Sequence, residues 1–278
     1  MNSLQSYLPD PASFAKMSTE EIRTKFLLDG LFARGRIGLF LTDLDRALIG
    51  TAVPNGELLT LDAPAELASE YFTQRRELGV INIGGPGLVR IDGKDYRMSH
   101  RDGLYVGKGN RQIEFGSVDP GTPSLFYFIS YPAHASHPIK HICACEVEAT
   151  SLGRQEAANC RTINKYIRTP AVASCQLTMG LTDLKDGSIW NTMPAHVHSR
   201  RSEIYMYFGL PEDAVVIHCM GEPTETRHIV VRNRQAVLSP GWSIHCGAGT
   251  ASYSFIWAMG GENQEFSDMD VIPMNKLA

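Results

Sequence analysis

From residue 36 onward the chain is a succession of short apolar runs, broken at close intervals by glycine, proline, aspartate and asparagine. This texture constrains the fold more than any other feature. Runs at 36–41, 80–83, 88–91, 104–106 and 125–129 are too short for packed helices and are bounded by turn formers. A second series follows at 175–181, 189–198, 203–208, 214–220, 228–231, 236–238 and 252–259. The pattern predicts a mainly β protein of sandwich or barrel type. Asp92-Gly93, between 88–91 and Tyr96, is a hairpin signal, because both residues tolerate the positive φ of a tight turn. The exception lies near the start. Ser18-Thr19-Glu20-Glu21 is a capping signal, followed by Ile22, Phe26 and Leu27 at helical spacing, and predicts one short helix over 18–28.

At 278 residues the chain is long enough for two domains of ordinary size. The stretch 134–163 has poor periodicity and reads as a connection, giving domains at 1–150 and 151–278. The halves share a weak repeat. Arg75-Arg76-Glu77 precedes an apolar strand and, later, Leu104-Tyr105-Val106-Gly107-Lys108-Gly109; Arg200-Arg201-Ser202-Glu203 precedes another and, later, Leu238-Ser239-Pro240-Gly241-Trp242. Two β-barrels of similar plan account for this. The tail, 268–278, is expected to be extended and surface-bound.

Charge excludes some function classes. With 26 Lys+Arg against 30 Asp+Glu, net charge −4, no basic field for nucleic acid is present. No run approaches the length of a membrane-spanning helix, and 1–28 lacks the basic start and apolar run of a signal peptide. A cytoplasmic protein without membrane or nucleic-acid partners is expected. The six cysteines lack framework spacing and read as reduced thiols.

The chemistry concentrates in Met193-Pro194-Ala195-His196-Val197-His198-Ser199-Arg200-Arg201-Ser202-Glu203. On a strand, His196 and His198 point to one face. After a turn, Glu203 opens the next strand, where an antiparallel neighbour brings its carboxylate to the imidazoles. Downstream, Ser239-Pro240-Gly241 leads to His245. Three imidazoles and a carboxylate form a borderline donor set suited to Zn, Mn, Fe or Ni. The other histidines lack such spacing, and Cys246 reads as a small buried residue. Tyr205 and Tyr207 share the parity of Glu203 and should face the same interior.

His-x-His-x4-Glu with a distal turn-preceded His resembles the cupin metal motif. More specific segments run through the chain: 75–85, Tyr105-Val106-Gly107-Lys108-Gly109, Arg161-Thr162-Ile163-Asn164-Lys165-Tyr166, Trp190-Asn191-Thr192-Met193-Pro194, and Trp257 with Gly260, Glu262, Asn263 and Gln264. Together they resemble the 5-keto-4-deoxyuronate isomerase (4-deoxy-L-threo-5-hexosulose-uronate ketol-isomerase) family of the cupin superfamily, over nearly the whole chain beyond residue 20. The resemblance implies two cupin-like barrels, a homo-hexamer, and one Zn2+ per chain on His196, His198, Glu203 and His245. The implied substrate is a small uronate of pectin breakdown, isomerised between aldose and ketose. Equivalent positions in the first half, Tyr71, Thr73 and Gln112, are not ligand types, so that half is expected to be metal-free scaffold.

Such a reaction needs a group that moves protons and a cation for the substrate carboxylate. Tyr205 and Lys165 are the catalytic candidates, beside a hydroxide on the metal. Arg161, Lys165 and Tyr207 are the substrate-binding candidates. Arg200 and Arg201 sit on the turn between ligands, where solvated charge is the default, and come next. A dioxygenase using Fe or Mn at the same ligands and a non-enzymatic sugar-binding protein are the alternatives.

Overall fold

The computed structural model describes residues 5–278. Apart from short 3-10 turns, two helices occur among them. Thr19–Phe26 forms where the capping signal predicts: Ser18 Oγ accepts from the Glu21 amide and Glu21 returns a bond to the Ser18 amide. The helix stops two residues before the expected end, because Leu27–Leu28 turns extended and pairs with Val237 and Ala236. The second helix is the single turn Pro11–Phe14, capped by Asp10 with proline in its first turn.

The rest is β, organised in two compact units. Each is discontinuous in sequence, so a single cut at 150 does not describe them: 7–29, 148–165 and 179–278 form one, and 5–6, 30–147 and 166–178 form the other.

The unit around 30–147 has a seven-stranded sheet in the order Gln5–Ser6, Ile37–Thr42, Leu48–Ala52, Phe126–Pro132, Arg76–Asn82, Gly103–Val106, Lys140–Ile142. Its second sheet has the order Leu59–Thr60, Ile113–Ser117, Gly87–Ile91, Lys94–Met98. The last two strands are the expected hairpin, with Asp92 at φ 48° and Gly93 at φ 84°. Side chains of the two sheets interleave in one apolar core that includes Leu78, Val80, Phe126 and Phe128 from the larger and Val89, Ile91 and Phe115 from the smaller.

The other unit repeats this plan. Its seven-stranded sheet runs Glu148–Leu152, Arg161–Ile167, Thr178–Leu184, Ser254–Gly261, Arg201–Phe208, Ala236–Ser239, Leu27–Leu28. Its four-stranded sheet runs Trp190–Asn191, Ile244–Gly249, Val216–Glu222, Glu225–Val231. The core between them is aromatic and sulfur-rich, with Tyr205, Tyr207, Phe255, Trp257, Met220 and Met259. A short extra pair joins His196–Val197 to Asp270–Val271. The tail is therefore not merely laid on the surface; its first residues are strand partners of the His-x-His segment.

One cysteine expectation is corrected. Cys143 and Cys145 form a disulfide, since the 3-10 turn Ala144–Glu146 brings their Cα atoms to 5.3 Å, within bridging reach. Cys160, Cys175, Cys219 and Cys246 are free thiols.

Candidate metal centre and its cavity

Three elements converge on one point. The short strand His196–Val197 and the turn after it carry the first two imidazoles. Arg201–Phe208 carries Glu203, which stands opposite Ser239 in the neighbouring strand. Ile244–Gly249 carries His245, facing the interior while Cys246 faces the other side. One donor atom from each of His196, His198, Glu203 and His245 lies within 4.8 Å of the others. Oε2 of Glu203 is 3.1 Å from Nε2 of His198 and 2.8 Å from Nε2 of His245. Nε2 of His196 is 3.2 Å from that of His198 and 3.0 Å from that of His245.

Whether this cluster fits a cation is decided by its protons. Nδ1 of His198 has the backbone carbonyl of Asp268, an acceptor only, at 2.9 Å and Arg201 Nε at 3.4 Å; the shorter contact decides, and Nδ1 carries the hydrogen. In neutral His198 the lone pair then sits on Nε2 and points at Glu203. Burial acts to raise the Glu203 carboxyl pKa, but the adjacent imidazoles outweigh it and hold the group below its ordinary range, hence ionised. Two lone pairs facing each other at 3.1 Å repel, and a cation between them removes the conflict. Burial above all pulls the His196 pKa down to about 3, so its imidazole is neutral and available as a ligand. Ser239 Oγ, 3.2 Å from Nδ1 of His245, orients the third ring. The donor set fits a divalent N/O-preferring metal.

His196, His198 and Glu203 of the cluster line a cavity of about 260 Å3. Its walls are largely apolar, from Leu152, Ile163, Phe255, Trp257, Met259 and Phe266 among others, with Thr182, Thr192, Tyr205 and Arg161 as polar groups. Among the described residues Arg161 is the only arginine or lysine in that lining. Its Nη1 donates to the Asn159 carbonyl at 2.9 Å. Burial lowers the Arg161 pKa, though a guanidinium keeps its charge near neutrality.

Of the residues singled out from sequence, His196, His198, Glu203, Tyr205 and Arg161 line this cavity, and His245 joins the first three in the cluster. Lys165 and Tyr207 do neither. Lys165 stands directly opposite Glu148 on the edge strand and pairs with it at 2.6 Å; its ammonium lies 5.4 Å from the centroid of the wall residue Phe266 but is not itself in the lining. Tyr207 has the parity of Tyr205 but lies one pleat further into the core, where its hydroxyl meets Nδ1 of His218 at 2.7 Å. The turn arginines are not free solvated charges either. Arg200 Nε donates to both carboxylate oxygens of Asp268 at 2.9 Å. Arg201, 3% exposed, donates to the backbone carbonyls of Glu265 (2.7 Å) and Asp268 (3.1 Å).

Thr192, Ser239, Asp268 and Phe266 were not legible as site residues. Thr192 and Ser239 sit in segments that stand out in the sequence, but nothing in their spacing marks them.

The comparisons with known proteins agree with this geometry. A family model described as KduI/IolB matches residues 31–273. The 4-deoxy-L-threo-5-hexosulose-uronate ketol-isomerase of Caldicellulosiruptor bescii is 51% identical over 96% of this chain and 97% of its own. That of Formosa agariphila is 49% identical over 98% and 97%. Among solved structures, an IolB-like protein from Salmonella typhimurium superposes with TM-score 0.73 at 16% identity, over 89% of this chain and 96% of that one. Oxalate decarboxylase from Lactobacillus farciminis gives TM-score 0.56 at 9% identity, over 83% and 80%. These neighbours share the cupin-type fold that the resemblance implied, and with it the mainly β architecture read from the strand pattern. With a family match across nearly all of both units and relatives about half identical along essentially their whole lengths, the chain belongs to the KduI/IolB family.

Proposed function

We propose that this protein is a zinc-dependent ketol-isomerase that interconverts 5-dehydro-4-deoxy-D-glucuronate and 3-deoxy-D-glycero-2,5-hexodiulosonate, a step of pectin and uronate breakdown in the cytoplasm. The observation that carries the reading is that one largely apolar cavity is lined both by His196, His198 and Glu203 of the four-residue cluster and by a lone guanidinium, Arg161. The names of the half-identical relatives support the same reaction.

The substrate has a reacting aldehyde–hydroxyl pair at one end and a carboxylate several carbons away. His196, His198, Glu203 and His245 would hold the metal, which when bound supplies Lewis acidity toward adjacent oxygens of the sugar. Arg161 binds the carboxylate and fixes the far end, converting a flexible open chain into one oriented for reaction. Trp257, Phe255 and Phe266 exclude water around the carbon skeleton. The reaction removes a proton from the hydroxyl-bearing carbon and returns one to its neighbour, while a proton moves between the two oxygens. Tyr205, in the cavity lining with its ring centroid 5.3 Å from that of His245, serves the proton movements. Assembly as a homo-hexamer, with one zinc per chain, completes the proposal. Light scattering giving a stable monomer of about the 30.7 kDa chain mass would count against it.

The test of the reaction is NMR of the uronate in D2O with protein of measured zinc content. Interconversion of the two sugars, dependent on the protein and lost on chelation, is the expected result. Absence of turnover with the zinc-loaded protein would refute it.

A further inference from the structure

Thr192 lines the cavity beside Tyr205, and the reaction as described gives it no part. Its φ is +52°, in the left-handed region, where a β-branched side chain crowds its own backbone. A residue keeps such a conformation only when its surroundings impose it, and such residues cluster at functional sites. Here one flank is tied down. Asn191 is fully buried, pairs with Gly247 in the smaller sheet, and donates from Nδ2 to Tyr253 Oη at 2.7 Å.

The conformation has a specific result. It carries the Thr192 hydroxyl to 3.0 Å from the Tyr205 hydroxyl. The Tyr205 ring is already fixed by packing, with Phe255 at 4.8 Å and His245 at 5.3 Å between centroids. What packing leaves open is the rotation of the phenol O–H. Among the described residues Thr192 is the one hydrogen-bond partner of that hydroxyl, so it sets where the phenol's remaining hydrogen-bonding direction points.

We propose that Thr192 is a positioning residue, holding the Tyr205 hydroxyl in the direction that meets the reacting oxygens of the sugar. The inference rests on the ketol-isomerase reading and adds a residue to it. A hydroxyl is required at 192 for this role, and a shape-matched methyl cannot replace it.

The experiment compares Thr192→Val, Thr192→Ser and Tyr205→Phe, singly and with Thr192→Val combined with Tyr205→Phe, each assayed for zinc content, melting temperature and isomerase kinetics. Thr192→Val is expected to keep its zinc and lose about tenfold to a hundredfold in kcat with KM changed less than about twofold. Thr192→Ser should restore kcat to within about threefold of the parent, and Thr192→Val should add nothing to Tyr205→Phe. If Val does not fold, Thr192→Ala is read by the same split. Equal losses in Val and Ser, undiminished kcat in Val, or a full Val effect in the Tyr205→Phe background would each overturn the inference alone. A zinc-loaded parent protein that leaves the uronate unchanged overturns the functional reading and this inference together.

Discussion

Tyr105 donates its phenolic hydrogen to the Glu77 carboxylate at 2.8 Å, with both residues fully buried. The same carboxylate accepts the backbone amides of Cys175, Gln176 and Leu177 at 2.7, 2.7 and 2.8 Å. Glu77 aligns with Glu203 in the internal repeat, so one carboxylate position has two uses: Glu203 faces three imidazoles, and Glu77 clamps the segment 175–177. Replacing Glu77 with alanine strands four donors, the buried Tyr105 hydroxyl and Leu177 amide and the partly buried Cys175 and Gln176 amides. The loss should be on the order of 3 kcal/mol or more in urea unfolding, with zinc per folded chain unchanged. A neutral effect on stability would show that water satisfies those donors.

Much of this was legible from the residues alone. Mainly β architecture, the capped helix and the Asp92-Gly93 hairpin follow from local chemistry that the fold does not override. The convergence of His196, His198 and Glu203 was readable because strand parity and one turn decide it. The residues that the structure sets outside the cavity lining depend on distance along a strand or on remote partners. Tyr207 has the right parity, but depth separates it from the cavity, and Lys165 is captured by Glu148, a neighbour that only the strand register reveals. Arg200 and Arg201 look solvated in sequence because their partners lie more than sixty residues downstream.

The ligand cluster predicts a coupled loss of metal and activity. Alanine at His196, His198 or His245 should reduce bound zinc and turnover together, measured by elemental analysis on the same samples. Thr73→Ala and Gln112→Ala, in the other unit, should leave metal content unchanged. Full activity in a zinc-free His198→Ala protein would sink the metal-assisted reading.

Chelation should also lower thermal stability. Removing a cation leaves the Glu203 and His198 lone pairs opposed at 3.1 Å, and a ligand bound only by the folded state contributes RT ln(1 + [L]/Kd). The melting temperature should therefore fall on chelation and return on adding zinc. Coincident melting curves would contradict the cluster as a metal site.

Arg161 and Lys165 should separate cleanly. Arg161→Ala is expected to retain zinc and lose about tenfold to a thousandfold in kcat/KM, for a charge-assisted contact of ~1.5–4 kcal/mol. The amide of the substrate, lacking the carboxylate charge, should be nearly indifferent. Lys165→Ala breaks a pair with the half-exposed Glu148, worth at most about 1 kcal/mol, and a contact with a wall residue, Phe266, without removing a lining group. Its kcat/KM should stay within about threefold. Equal losses for acid and amide in Arg161→Ala would move that residue from carboxylate binding to folding or proton transfer.

His218 predicts the acid limit of the metal-free protein. It is fully buried, Nδ1 meets the Tyr207 hydroxyl, and Nε2 has no hydrogen-bond partner among the described residues. Burial is the main cause, with the charge of His245 adding, of a pKa drawn down from 6.5 to about 3. Between those values the unfolded chain binds a proton that the folded chain refuses. Stability attributable to this residue is therefore intact above pH 6.5 and falls as pH drops toward 3, with a limiting slope of about 1.4 kcal/mol per pH unit. Urea unfolding at about pH 7.5, 6.5, 5.5 and 4.5 should show this decline. His218→Gln, which keeps a polar partner for Tyr207 without a titrating ring, should flatten the slope by about one proton's worth over that window. Parallel slopes for parent and variant would mean that the folded protein accommodates the imidazolium, through water reaching Nε2 or a shift of the Tyr207 pair.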